Sequence, residues 1–111
     1  MLDRLSLVGK TIIVTGGGTG LGRRMAVQLA AAGADLAVAG RRPDPLEKVA
    51  GEVRALGRRA LAIPTDVTDS AQVDRMVESV LDSLGPVDVL VNNAGQPNEP
   101  LRPIWEVTDA Q

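Results

Sequence analysis

The residues of this sequence best suited to bind an anion lie in one run, Thr15-Gly16-Gly17-Gly18-Thr19-Gly20-Leu21-Gly22. The run falls between a β-branched segment and a helical one. A helix N-terminus offers free N–H groups and a partial positive charge, and glycines let backbone approach an anion without Cβ atoms in the way. The chemistry this implies is the binding of a diphosphate. Gly16 would make the tight turn after the strand, Gly20 would allow close contact with the diphosphate, and Gly22 would let the helix pack against the sheet. Gly17 and Gly18 would add freedom, and the Thr19 hydroxyl would donate to a phosphate or ribose. A Walker-type loop is disfavoured because no Gly-Lys-Ser/Thr follows.

About 20 residues beyond such glycines, a site for NAD places a carboxylate to accept from the ribose 2′-OH. The corresponding stretch here is Ala39-Gly40-Arg41-Arg42, which has two guanidinium groups and no carboxylate. A 2′-phosphate would pair bidentately with arginine and be repelled by a carboxylate. These residues therefore favour NADP(H), with NAD the less favoured cofactor; the plainer reading is that Arg41 and Arg42 are solvated loop charges. Asp44, beyond Pro43, is expected to cap a helix with Pro45 at its first position.

Composition removes several other functions. The chain has 111 residues, one domain's worth, with 44% hydrophobic and 23% charged residues. The net charge of −2 supplies no field for nucleic acid or an anionic membrane. No apolar run approaches the ~20 residues that span a bilayer, and Met1-Leu2-Asp3-Arg4 lacks the features of a signal peptide. The expectation is a cytoplasmic protein. Without cysteine, thiolate catalysis is excluded, and without histidine as well a His-based triad or a zinc site is close to impossible, so no metal is expected.

Elements that would hold these groups alternate along the chain. Runs at Thr11 to Thr15, Asp35 to Ala39, Ala60 to Ile63 and Val87 to Val91 are Val/Ile/Leu/Ala-rich, as suits strands buried on both faces. Between them, helices are expected from about Leu21 to Ala32, after Pro43 and Pro45, and after Asp69 as N-cap. Leu46, Val49, Val53 and Leu56 form one apolar stripe, and Val73, Met76, Val77, Val80, Leu81 and Leu84 form another. Gly33, Gly57 and Gly85-Pro86 end the helices. The pattern predicts an α/β fold, a doubly wound, Rossmann-type parallel sheet of four strands and three helices with right-handed crossovers, incomplete at its C-terminal side. The whole of 1–111 would be the N-terminal portion of a single dinucleotide-binding domain.

With these residues laid out, the chain resembles the short-chain dehydrogenase/reductase family from Leu7 to about Gln111. The glycine run is similar to the family's TGxxxGxG element. Asp66-Val67 resembles the pair that contacts adenine, and Asn92-Asn93-Ala94-Gly95 resembles its NNAG element. The resemblance implies that Asp66 accepts from the adenine amine and that Asn93, Ala94 and Gly95 contact the cofactor ribose and hold the central sheet. On the residues alone, Asp66 could instead cap a turn before Thr68-Asp69, and Asn92-Asn93 could be a polar strand end bonded to nearby backbone.

The resemblance also implies an oxidoreductase acting on an alcohol or carbonyl, commonly a homo-oligomer. Its proton donor would be a tyrosine four residues before a lysine that lowers its pKa. This sequence has no tyrosine, and its lysines are Lys10 and Lys48, before the first strand and on the second helix. No catalytic residue is expected within these 111 residues. The chain reads as a cofactor-binding front half, inactive and marginally stable alone. The alternative is a stand-alone, non-catalytic dinucleotide-binding or redox-sensing module. The stretch from Gln96 reads as a loop, and Thr108 resembles the N-cap of a helix that does not follow.

Overall fold

The computed structural model describes residues 6–18 and 20–93. The expectations for Thr19, Ala94, Gly95, the loop from Gln96 and Thr108 lie outside the described residues.

Among the described residues, four strands and three helices alternate: β1 (Thr11–Thr15), α1 (Gly20–Ala31), β2 (Asp35–Gly40), α2 (Pro43–Ala55), β3 (Ala60–Pro64), α3 (Ser70–Ser83) and β4 (Val89–Asn92). They form one parallel sheet in the order β3-β2-β1-β4. β1 is central, with Ile13 opposite both Ala37 of β2 and Leu90 of β4. The architecture is the Rossmann-like α/β sheet expected from the alternation.

Strand side chains alternate between two cores. Ile12, Val14, Leu36 and Val38 pack with Ala26 and Ala30 of α1 and with Leu46, Val49, Ala50 and Val53 of α2. Ile13, Ala37 and Ala39 face the other way, onto Met76 and Val80 of α3 and Leu84 beyond it. Helices thus cover both faces, and every residue of β1 is buried. Such two-sided burial is why these strands read as continuous aliphatic runs.

Several boundaries differ from expectation. Helix α2 starts at Pro43, with Arg42 in the N-cap position and no side-chain cap. Pro43 has its φ preset for a helix and no N–H to leave unsatisfied, so it takes the first position ahead of Pro45. Asp44 is not the N-cap; it lies inside the first turn, where its charge opposes the helix dipole. Leu56 and Leu81, placed on buried stripes by spacing, are 46% and 47% exposed. Leu56 is already the C-cap, where the helical period has ended. Strand β4 begins at Val89 because Asp88 closes the pairing differently. Its N–H donates to Thr11 O (2.9 Å), and its carboxylate accepts from Thr11 N (2.8 Å).

Asp69 caps α3 as expected, accepting from Ala71 N (3.0 Å) and Gln72 N (3.4 Å). Gly33 and Gly57 adopt φ of +111° and +85° just beyond α1 and α2, the left-handed conformation that ends a helix.

At the end of the sheet opposite the glycine run, Asp35 and Arg59 join three elements. Asp35 accepts from Arg59 N (2.9 Å), Nε (3.0 Å) and Nη2 (2.9 Å), while Arg59 Nη2 also donates to Leu84 O (3.2 Å). Burial pushes the Asp35 carboxyl up, but these bonds and the Arg59 charge outweigh it and hold the pKa below 3.8. A carboxyl with a depressed folded pKa adds stability above its unfolded pKa and loses it as pH falls through the folded value. Asp35→Asn is therefore expected to lower the melting midpoint by a few degrees at pH 7. Melting curves of the two proteins should converge on acidification well below pH 3.8.

Candidate functional site

The C-terminal ends of β1, β2 and β4 meet the start of α1, and the site is built there. After Thr15 the chain turns through Gly16 at φ +64° and enters α1 through Gly20 at φ +56°. Both are left-handed conformations that a side chain would strain. Gly17 and Gly18 differ from expectation. Neither has a positive φ, and their lack of a side chain matters for space. A Cβ on Gly17 would lie 2.9 Å from the Val38 side chain, and one on Gly18 would lie 3.0 Å from Pro45 Cβ.

Gly22 is the most constrained of the set. It is buried in the first turn of α1, as its third residue, and a Cβ there would stand 2.0 Å from Gly16 O and 2.9 Å from Asn93 Nδ2. The helix is therefore pressed against the turn itself. The first turn of α1 carries no acidic residue, so its positive end is uncompensated from within the helix. Leu21, in that first turn, is 62% exposed.

Hydrogen bonds tie the turn to β4. Thr15 Oγ1 donates to Asn92 Oδ1 (2.9 Å) and accepts from Asn93 N (3.0 Å), and Asn93 Nδ2 donates to Gly16 O (3.4 Å). The polar strand end considered from the residues is thus present, and it fixes the turn's carbonyl. Gly17 N also donates to Ala39 O (3.3 Å), so the turn is held to β2 as well.

Beside the turn lies a cleft of about 310 Å³ lined by Gly16, Gly18, Gly40, Arg41, Arg42, Pro45 and Leu46. Two of the expected glycines and both arginines meet there, and among the described residues no carboxylate lines it. Gly40, Pro45 and Leu46 were read from sequence for their place in the fold and not as residues of the site. The signal available was their position, flanking the arginine pair and opening α2.

A second recess of about 300 Å³ is lined by Arg41, Pro64, Thr65, Asp66 and Gln72. Asp66 Oδ1 accepts from Thr68 Oγ1 (2.7 Å) and Thr68 N (3.0 Å), the turn-capping arrangement left open by the sequence. These Thr68 bonds, and lastly the charge of Arg41, hold the Asp66 carboxyl below its ordinary pKa. Its Oδ2 has no partner among the described residues and stays available as an acceptor. Val67 is half-buried beside it.

Glycine-lined backbone at a helix mouth, facing a cleft with two guanidinium groups, suits an elongated ligand with several anionic groups. The comparisons fit this geometry. The family model described as short chain dehydrogenase matches residues 10–111. The chain belongs to the short-chain dehydrogenase/reductase family.

Its relatives in that family include 2,3-dihydro-2,3-dihydroxybenzoate dehydrogenase of Bacillus subtilis, 42% identical over 94 residues. That match covers 85% of this chain and 36% of the relative, so the chain spans about a third of the length of the protein it matches. L-sorbose reductase from Gluconobacter frateurii, solved with NADPH and L-sorbose, superposes with a TM-score of 0.79 at 35% identity, over 86% of this chain and 37% of that one. An NAD+-bound xylitol dehydrogenase gives 0.77 at 37% identity, over 80% and 34%. The family's members thus include both NADPH-bound and NAD+-bound proteins, and a nicotinamide dinucleotide is the shared ligand class. Among the described residues of this member, no cluster of metal-ligating side chains occurs and no helix is long and apolar enough to cross a membrane.

Proposed function

We propose that these residues bind NADP(H) for an oxidoreductase that interconverts an alcohol and a carbonyl compound. The observation that carries the reading is the cleft lined jointly by the glycine turn and by Arg41 and Arg42, with no carboxylate on its wall among the described residues. Backbone N–H groups at the start of α1, bared by Gly16, Gly18, Gly20 and Gly22 and flanked by Thr19 and Leu21, would hold the diphosphate. Arg41 and Arg42 would hold the 2′-phosphate. Asp66, through its available carboxylate oxygen, and Val67 would meet the adenine, and Asn93, Ala94 and Gly95 the nicotinamide-side ribose.

The coenzyme, when bound, would give hydride to the carbonyl or accept it from the alcohol. What this chain's own residues do is bind and orient: Asn93 and Thr15 fix the Gly16 carbonyl, and Gly22 keeps the helix mouth close to it. Holding a reactant in one geometry is itself a large part of catalysis. No tyrosine is present to give or take the proton. We assign no catalytic residue within 1–111 and propose that these residues alone do not turn over substrate. A cytoplasmic setting and a homo-oligomeric complete protein belong to the same proposal.

Fragments of the coenzyme test the assignment of the arginines. Adenosine 2′,5′-bisphosphate should displace NADPH from the natural chain at least about 10-fold more effectively than AMP, the worth of one good charge-assisted contact. Equal displacement by the two nucleotides would remove the 2′-phosphate from the arginine cleft.

A further inference from the structure

Arg41 borders both recesses at once. It lines the cleft with Gly16 and Gly18, and it lines the second recess with Pro64, Thr65, Asp66 and Gln72. Its Nη2 stands 3.9 Å from Asp66 Oδ1. The two partners are held very differently. Asp66 is fixed on both sides: its carboxylate accepts twice from Thr68, and its N–H donates to Gln72 Oε1 (2.9 Å). Gln72 Nε2 in turn donates to Asp69 Oδ2 (3.1 Å), the residue that caps α3. The Arg41 side chain is 70% exposed and makes no hydrogen bond to any described residue.

We propose that Asp66 is a specificity-determining residue, whose fixed carboxylate draws Arg41 away from a 2′-phosphate and so tempers the discrimination between phosphorylated and unphosphorylated coenzyme. The inference rests on the reading of Arg41 as a contact of the 2′-phosphate. At 3.9 Å without a hydrogen bond, the pair is an attraction between charges and not a directional clamp. Removing the carboxylate therefore frees the guanidinium more than it misplaces it. A phosphate and a carboxylate compete for the same fork of donors, and the coenzyme without the 2′-phosphate does not enter that competition. The exposure of both partners keeps the effect modest.

The test is the ratio of NADH to NADPH dissociation constants, measured on the natural chain and on its D66N, D66S, R41A and D66N/R41A variants. Asparagine and serine each keep a short acceptor for Thr68, so the turn has two independent chances to survive. Loss of a contact with adenine weakens both coenzymes alike and cancels in the ratio. The ratio is expected to rise about two- to fivefold in D66N and D66S, the range of an exposed ion pair, and to rise less when Arg41 is absent. An unchanged or lower ratio in both variants overturns the inference, as does an equal rise without Arg41. If R41A alone leaves the ratio untouched, the reading of Arg41 as a phosphate contact is what fails.

Discussion

Replacing Arg41 and Arg42 together by alanine is expected to weaken NADPH binding about 100-fold while changing NADH binding by no more than about threefold. The size follows from the chemistry of the cleft. Each guanidinium would offer charge-assisted donors to a 2′-phosphate, and about 1.5 kcal/mol apiece, slightly over a tenfold factor, is the lower end for hydrogen bonds to charged groups. The lower end applies because both side chains are exposed to solvent. NADH has a hydroxyl where NADPH has the phosphate, so it has little to lose. The lysine pair R41K/R42K should recover only part of the loss, since it restores charge but not the planar fork. Equilibrium titration of both coenzymes checks the result. Equal weakening of the two would mean that the arginines act on the common diphosphate and not on the 2′-phosphate.

The second large effect is expected at Gly22. Alanine there would place a Cβ 2.0 Å from Gly16 O, which is backbone and cannot rotate away. Gly16 itself is held at φ +64° and its carbonyl accepts from Asn93, so the turn has no easy direction in which to yield. Gly22→Ala should cost about 1–3 kcal/mol of stability by overpacking. It should also weaken both coenzymes together, by an order of magnitude or more, because the displaced turn is the proposed diphosphate cradle. Gly51 provides the contrast. It lies exposed in α2 at an ordinary helical φ, with nothing within 4 Å of an added Cβ. Gly51→Ala should therefore be stabilising by roughly 0.5–1 kcal/mol, as glycine in a helix interior is less favourable than alanine. Thermal melts of the two variants would separate a packing requirement from a general preference for glycine.

Much of this fold was legible in the sequence because its sheet is parallel and covered on both sides. Ile12, Ile13 and Val14 all have to be apolar, so the strand appears as a solid run, and the glycines at 33 and 57 mark where helices stop. What could not be read depends on contacts between distant segments. Whether Pro43 or Pro45 opens α2 is a choice between two locally acceptable starts. Leu81 continues the spacing of α3 yet lies 47% exposed, because periodicity does not say how wide a face the sheet covers.

In the candidate site, the residue types were readable and their partners were not. Gly17 and Gly18 looked like sources of flexibility, whereas Val38 and Pro45 press against them from 21 and 27 positions further along the chain. The bonds of Thr15 to Asn92 and Asn93 cross 77 and 78 positions. The approach of Arg41 to Asp66 depends on the register that sets Gly40 opposite Pro64, which no local pattern encodes.

On the proposed reading, a glycine-bared helix mouth and an arginine-lined cleft together receive a 2′-phosphorylated dinucleotide. Calorimetric titration of the complete natural chain with NADPH and with NADH measures this directly. Saturable, one-to-one binding of both is expected, with NADPH the tighter by about 10-fold or more. Tighter binding of NADH would contradict the role given to Arg41 and Arg42, and no heat of binding from either coenzyme by well-folded protein would contradict the site itself.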